Sequence, residues 1–224
     1  MQTKTEIANQ ALALLSAGRI TNLDDTENEL SRSVKAVFDI SAKQVIRTHR
    51  WSCCTRRATL SRLSESPLKT STYGYTYKYQ LPSDNLRFLD LNGEPWKNKA
   101  KNLSVEGKEL HTNESVAYIR YIAWVSNTEE WDVLLGEAVA IKIAIRIARR
   151  VTKDGMSGEQ LLSLYEKVVA KAQFVDAMEV GSGENSPLER ILESSPLVVS
   201  SQGYAGAFRP VNRIGLEVDY SLLR

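Results

Sequence analysis

Few side chains in this sequence are spaced for chemistry, and they form three groups. His49 stands four residues before Cys53, which adjoins Cys54, a set that invites a metal site completed from elsewhere by a residue such as His111. The paired-ligand spacing of zinc sites is missing, and neighbouring cysteines reach disulfide geometry only with strain, so reduced thiols and no metal are expected. Glu129, Glu130 and Asp132 could in principle supply the acid and base of a hydrolase. They directly precede a helical pattern, where carboxylates favour the positive end of the helix dipole, and that is their expected role. The third group is cationic: Lys142, Arg146, Arg149 and Arg150 share an arc of roughly 100° on a helical wheel. Long basic side chains commonly lie over apolar neighbours with their charges in water, and a solvated face is expected before a DNA contact. The sequence contains no phosphate-cradling glycine loop, zinc helix motif or nucleophile elbow, and two histidines leave few options for a triad.

These groups hang on one stretch, residues 131–151, the most apolar run in the chain. Leu134, Leu135, Ala138, Ile141, Ala144, Ile145 and Ala148 give it a broad apolar face, so it reads as a core helix with one wet stripe. Its length approaches the ~20 apolar residues of a membrane span, but Lys142 and Arg146 interrupt the middle. Glu137 projects towards the apolar side, where it would need an arginine partner or a subunit contact.

Ahead of this stretch the spacing predicts two amphipathic helices. Thr3 and Glu6 form a capping box opening a helix over about 4–17, with Gly18 as its stop. Thr26 and Glu29 repeat the box before a long helix reaching His49, and the short link makes the two an antiparallel hairpin. Between 54 and 125 the period becomes alternating, predicting strands at 58–63, 75–81 and 88–91, a hairpin of 102–105 with 108–111, and a central strand at 116–125, together one small antiparallel sheet. Tyr73, Tyr75, Tyr77 and Tyr79 would share one face of one strand, and a half-buried sheet face accounts for them better than a recognition stripe. Ser157 and Gln160 open a further helix with Leu161, Leu164, Tyr165, Val168, Ala172 and Val175 on its apolar side. Beyond Gly181 come a linker, a short capped helix to about 193, an irregular serine- and glycine-rich arm, and an alternating strand at the end. The predicted class is α+β, mainly α: a helix bundle of 1–53 and 126–180, an antiparallel β domain of 54–125 inserted between the second and third helices, and a C-terminal linker and arm of 181–224.

At 224 residues, 42% hydrophobic and 25% charged, the chain is sized for a folded domain with an appendage. With 29 basic and 27 acidic residues its net charge is only +2, unlike a dedicated nucleic-acid binder. The first residues read as an amphipathic helix, so no export signal is expected, and the cysteines fit a reducing compartment.

Several residues, in order, form a pattern: Ala11, Leu12 and Leu15 with Gly18, Ile20, Leu23 and Asp24; His49-Arg50-Trp51 after the long helix; Ala58 and Leu60; Tyr79, Leu81, Pro82 and Asp84, then Leu86-Arg87; and Trp131-Asp132 before an alanine-rich helix. From about Ile7 to Glu179 this resembles the head-to-tail adaptors, or tail tubular A proteins, of short-tailed bacteriophages. Ser52-Cys53-Cys54 departs from the family's aromatic and small residues after Trp51. The resemblance implies a virion protein without enzymatic activity or cofactor. It would be a ring, usually a dodecamer, between portal protein and tail nozzle protein, assembled in the host cytoplasm, with double-stranded DNA passing through its lumen and no membrane insertion. The other function class to weigh is a tail-associated peptidoglycan hydrolase using carboxylates. Within the arm the candidate contacts are Tyr204 and Phe208, with Arg209 beside them, and the alternating Ile214, Leu216, Val218, Tyr220 and Leu222, expected to order on assembly against a sheet edge.

Overall fold

The structure, a computed structural model, describes residues 2–63, 74–95, 103–151 and 155–179. It is a mixed α and β fold with four α-helices and two small antiparallel sheets among the described residues. The first helix, α1 (Lys4–Leu14), opens on the capping box the spacing predicts: Glu6 N–H donates to Thr3 Oγ1 at 3.2 Å and Thr3 N–H to Glu6 Oε2 at 2.7 Å. It stops before the expected Ala17, because Leu15 is its C-cap and Ser16 takes the left-handed conformation at φ 52°. Asn9 ties the following link to the helix, its side chain donating to and accepting from the backbone of Ile20, both at 2.9 Å. The second helix, α2 (Glu29–Thr48), is capped by Asn28 and not by the Thr26 box: Asn28 Oδ1 accepts from Leu30 N–H at 2.9 Å and Ser31 N–H at 3.4 Å.

The predicted core helix is α3 (Val133–Val151), and it packs against α1, α2 and α4 (Gly158–Glu179). Its Leu135, Ala138, Val139, Ile141, Ile143, Ala144 and Ile147 are all buried in one cluster with residues of the other three helices. The basic stripe lies where the wheel puts it: Arg146, Arg149 and Arg150 are exposed, and Lys142 is half-buried with its Nζ 5.0 Å from the ring centre of Tyr165. Glu137 departs from expectation. It is exposed, as is Val133 one turn earlier, so this side of the helix's first turns is left uncovered in the chain and the carboxylate needs no buried partner. The capping box before α4 is formed as read, Ser157 N–H donating to Gln160 Oε1 at 2.9 Å and Gln160 N–H to Ser157 Oγ at 3.3 Å. Gly155, just ahead of it, approaches the end of α1 so closely that a Cβ there would lie 2.7 Å from the Leu15 carbonyl. No helix among the described residues is long and apolar enough to cross a membrane.

The strands lie between α2 and α3 in the chain, and they form two sheets where one is expected. One sheet has the order β1 (Thr55–Thr59), β7 (Tyr118–Ala123), β3 (Asn85–Leu91), β4 (Glu94–Pro95); the other has β2 (Tyr77–Gln80), β6 (Glu109–Thr112), β5 (Leu103–Glu106). The alternation read at 58–63 spans the crossing between them. After Thr59 the chain leaves β7, buries Leu60, and pairs at Arg62 with Tyr79 of the second sheet, so β1 itself starts three residues earlier than predicted. β7 is central, as its apolar residues require: Ile122 enters the helical cluster, while Ile119 and Tyr121, pointing the other way, enter a second cluster between the sheets with Leu81, Leu91 and Leu110. Asn92 at φ 54° and Gly93 at φ 80° make the tight turn from β3 to β4. Tyr79 is buried in the second cluster with its hydroxyl donating to Glu114 O at 2.9 Å, Tyr77 lies under Arg62, and Tyr75 is half-buried. Tyr77 and Tyr79 share a packed face of β2, whereas Tyr75 precedes the strand, which begins at Tyr77 and not at the predicted 75; Tyr73 lies outside the described residues.

Two indoles anchor the joints. Trp51 Nε1–H donates to Val45 O at 3.1 Å and Trp131 Nε1–H to Val125 O at 3.0 Å, both rings buried. Truncating Trp51 to alanine is expected to cost about 3–5 kcal/mol and Ile141 to alanine about 2–5 kcal/mol. Thermal or denaturant unfolding measures both, and variants melting with the parent would show that neither side chain is part of the core.

Candidate functional site

A buried, hydrogen-bonded polar group sits where α2 ends and the chain turns into β1. His49 is the C-cap of α2, extended at φ −125° and ψ 161°, and its ring is buried. Its Nε2 lies 3.2 Å from Oδ2 of Asp176, a residue 127 positions away on the last turns of α4. The other carboxylate oxygen of Asp176 accepts the Ser52 N–H at 2.9 Å, and Trp51 meets the His49 ring edge-on at 5.1 Å between centres. One buried carboxylate thereby clamps the end of α2, the turn after it and α4. Burial works to raise the pKa of Asp176, but the hydrogen bonds from His49 and Ser52 outweigh it and hold the carboxyl below its ordinary value. Arg87 of β3 reinforces the same corner, donating to the α2 carbonyls of Arg47 at 3.1 Å and Thr48 at 3.3 Å, while Arg47 donates to Leu86 O.

Cys53 and Cys54 follow this turn with their sulfurs 3.8 Å apart and both thiols free. The hydrogen bond from Cys54 lowers the pKa of Cys53, and the same bond together with burial pushes the Cys54 thiol up. Neither sulfur bonds to His49, whose Nδ1 is unpartnered among the described residues. His111 is on β6, beside Glu109 at 3.3 Å, and Tyr79, its neighbour's partner in the register, is buried in the cluster between the sheets. Among the described residues no three histidines, cysteines or acids gather as a metal set. Of the acidic trio only Asp132 acts at the start of α3, its Oδ1 accepting Leu134 N–H at 2.8 Å; Glu130 pairs with Arg56 of β1 at 3.0 Å, and Glu129 lies in the short turn before the helix, its N–H capped by Asn127. Arg146 of the basic stripe donates to Gln44 of α2 at 2.8 Å, bridging two helices.

A second polar feature lies on the four-stranded sheet. Arg57 of β1, Arg120 of β7 and Asp90 of β3 are successive cross-strand partners, so they line one face in a row. Arg120 Nε is 2.5 Å from Asp90 Oδ2, and Asp90 is buried. Arg57 is exposed, and among the described residues it has neither an ion-pair nor a hydrogen-bond partner. The row borders a concavity of about 410 Å³ that Thr59 and the exposed Tyr118 also line. Sequence reasoning missed this row because it began the first strand at Ala58, leaving Arg57 outside.

The predicted contact residues Tyr204, Phe208, Arg209, Ile214, Leu216, Val218, Tyr220 and Leu222 lie outside the described residues. No protein-family model matches the chain, and no curated protein sequence matches it.

The clamp has a pH signature. A carboxyl whose folded pKa is depressed contributes stability in full above its unfolded value near 3.9 and loses it as pH falls through the folded value. The melting temperature of the parent protein should therefore fall more steeply below about pH 4 than that of Asp176→Asn, which at neutral pH should be about 1–3 kcal/mol less stable through the disturbed His49 and Ser52 partners. Parallel acid limbs for the two proteins would show that the carboxylate is not held this way.

Proposed function

We propose that this chain is a structural connector, a head-to-tail adaptor of a short-tailed bacteriophage that forms a ring between portal and tail nozzle. The observation that carries the reading is where the residues of the resemblance sit. Trp51 and His49 form the joint after α2, Arg87 caps that helix, Leu60, Tyr79 and Leu81 fill the second cluster, Asp84 accepts the Trp124 N–H at 2.7 Å and the Tyr121 hydroxyl at 3.2 Å, and Trp131 with Asp132 seats α3. Some of them fix helix ends to the chain beside them and others hold the two sheets together, and a part that carries load between two machines depends on such joints more than on a reactive cleft. In this reading α1 to α4 form an antiparallel bundle, residues 54–125 are its inserted β domain, and the arm of 181–224 reaches partners in the assembled particle.

The weak net charge of +2 suits a conduit for double-stranded DNA. A lumen that neutralised many phosphates would bind the genome through counterion release and hinder its passage. The protein needs no cofactor, and its site of action is the virion after assembly in the host cytoplasm.

Electron microscopy of the purified protein mixed with its phage's portal tests the proposal. The expected result is a ring seated on one end of the portal, and portals that stay bare overturn it. Removing residues 200–224 is expected to leave a soluble protein with an almost unchanged melting temperature that no longer joins portals. If the shortened protein unfolds, or docks with full affinity, the arm is a structural strand or a passenger.

A further inference from the structure

β1 is the outermost strand on its side of the four-stranded sheet. Leu60 N–H donates to Ala117 O at 2.9 Å, and the register continues from there through Ala58 with Ile119 and Arg56 with Tyr121. In an antiparallel ladder those alternate residues turn their main-chain groups inward to β7, so the N–H and C=O of Arg57 and Thr59 face outward. Among the described residues nothing pairs with this outer edge. Exposed main-chain groups of this kind are a template for an added strand.

The side chains restrict which strand fits. Arg57 faces Arg120 in a non-hydrogen-bonded pair, the arrangement that brings opposite side chains closest, where like charges repel. Asp90 compensates Arg120 from the inner side, so the row runs acid, cation, cation, and then stops at the open edge. On the other face of β1, Ala58 is half-buried against the cluster between the sheets. A strand that suits this edge carries acids on one face and apolar residues on the other.

Residues 214–222 alternate in that way: Glu217 and Asp219 fall between Leu216, Val218 and Tyr220. We propose that the β1 edge receives residues 214–222 of a second copy as an added strand, with Glu217 or Asp219 beside Arg57 and the apolar alternates beside Ala58. The row across the sheet becomes acid, Arg57, Arg120, Asp90, each cation with its own carboxylate. The backbone of Arg57 and Thr59 supplies the main-chain bonds, and the concavity next to Tyr118 leaves room on the acid-bearing face. The proposal rests on the reading that copies of the chain associate, and it deepens that reading by naming the contact.

Two full-length variants test it, each with a terminal strand mismatched to its own edge, so that the edge is vacant. The first carries Glu217→Lys with Asp219→Lys and keeps Arg57; the second carries Arg57→Glu and keeps the acidic strand. Each is titrated into fluorescein-labelled peptides spanning 212–224, one with the native sequence and one with the two lysines, and binding is read by anisotropy. The first variant is expected to prefer the native peptide and the second the lysine peptide, each by about tenfold. A preference that reverses with the charge at 57 cannot come from misfolding. Absence of binding to the first variant, or the same preference in both, overturns the proposal. If Arg57→Glu does not fold, Arg57→Gln in the lysine-strand background replaces it; loss of the preference for the native peptide is expected, and its retention overturns the proposal. Rings on portals without this peptide binding would leave the adaptor reading standing and remove the contact, whereas reversed preferences without rings would do the opposite.

Discussion

Everything in the helical half depends on the fact that α3 has almost no side that tolerates water. Apart from the stripe running through Arg146, Arg149 and Arg150, and the exposed Val133 and Glu137 near its start, its perimeter is buried, so three helices must be brought to it. At ~25 cal/mol per Å² of apolar surface, covering such a helix is the largest single gain open to the chain. That gain is non-directional, however. It does not decide where α1, α2 and α4 begin and end, and the polar devices settle that: the Thr3 and Ser157 boxes, the Asn28 cap, the left-handed Ser16, and Gly155 against the Leu15 backbone.

The buried carboxylate of Asp176 plays a different part from these local caps. It joins segments 127 residues apart, and each of its oxygens is engaged by a donor from the turn after α2. Burying an acid is unfavourable unless it is hydrogen-bonded, so the site favours only the arrangement in which α4 meets that turn in this register. Apolar packing would accept α4 shifted by a turn far more readily. The aspartate and the two indole bonds, Trp51 to Val45 and Trp131 to Val125, therefore contribute specificity of docking more than bulk stability.

How much was legible in the sequence follows the range of the interaction. Both capping boxes that formed lie within three residues, and the core helix announces itself by period, so these were readable. The Thr26 box was readable too, yet Asn28 won the cap because its shorter reach to Leu30 and Ser31 was available two residues on. Alternation identified the strands but not their grouping: the run at 58–63 is one continuous pattern, while the structure uses its first part to pair with β7 and its last to bridge to β2. No local signal separates those uses. Glu137 was placed towards the apolar side, in need of an arginine partner or a subunit contact, because a wheel treats all angles as equally covered, whereas the described helices do not reach the first turns of α3 on that side. The His49 to Asp176 link and the Arg57, Arg120, Asp90 row were invisible for the same reason, being set by tertiary register alone.

That row also bears on how an exposed sheet edge avoids indiscriminate pairing. Edge strands are commonly protected by a charge, and an exposed arginine on β1 does this: an apolar or basic strand arriving there would leave Arg57 facing Arg120 without relief. The protection is selective and not absolute, since an acid at the right position converts the repulsive pair into a balanced row. Selectivity of this kind comes from penalising the wrong partner as much as from rewarding the right one. Asp90 sharpens it, because by pairing with Arg120 it leaves Arg57 as the edge cation without an ion-pair partner among the described residues, where an acid on an incoming strand would complete the row. A one-residue slip of an incoming strand would turn its acid to the opposite face, beside Ala58 and away from Arg57, so the edge charge would exclude odd slips while tolerating a shift by two.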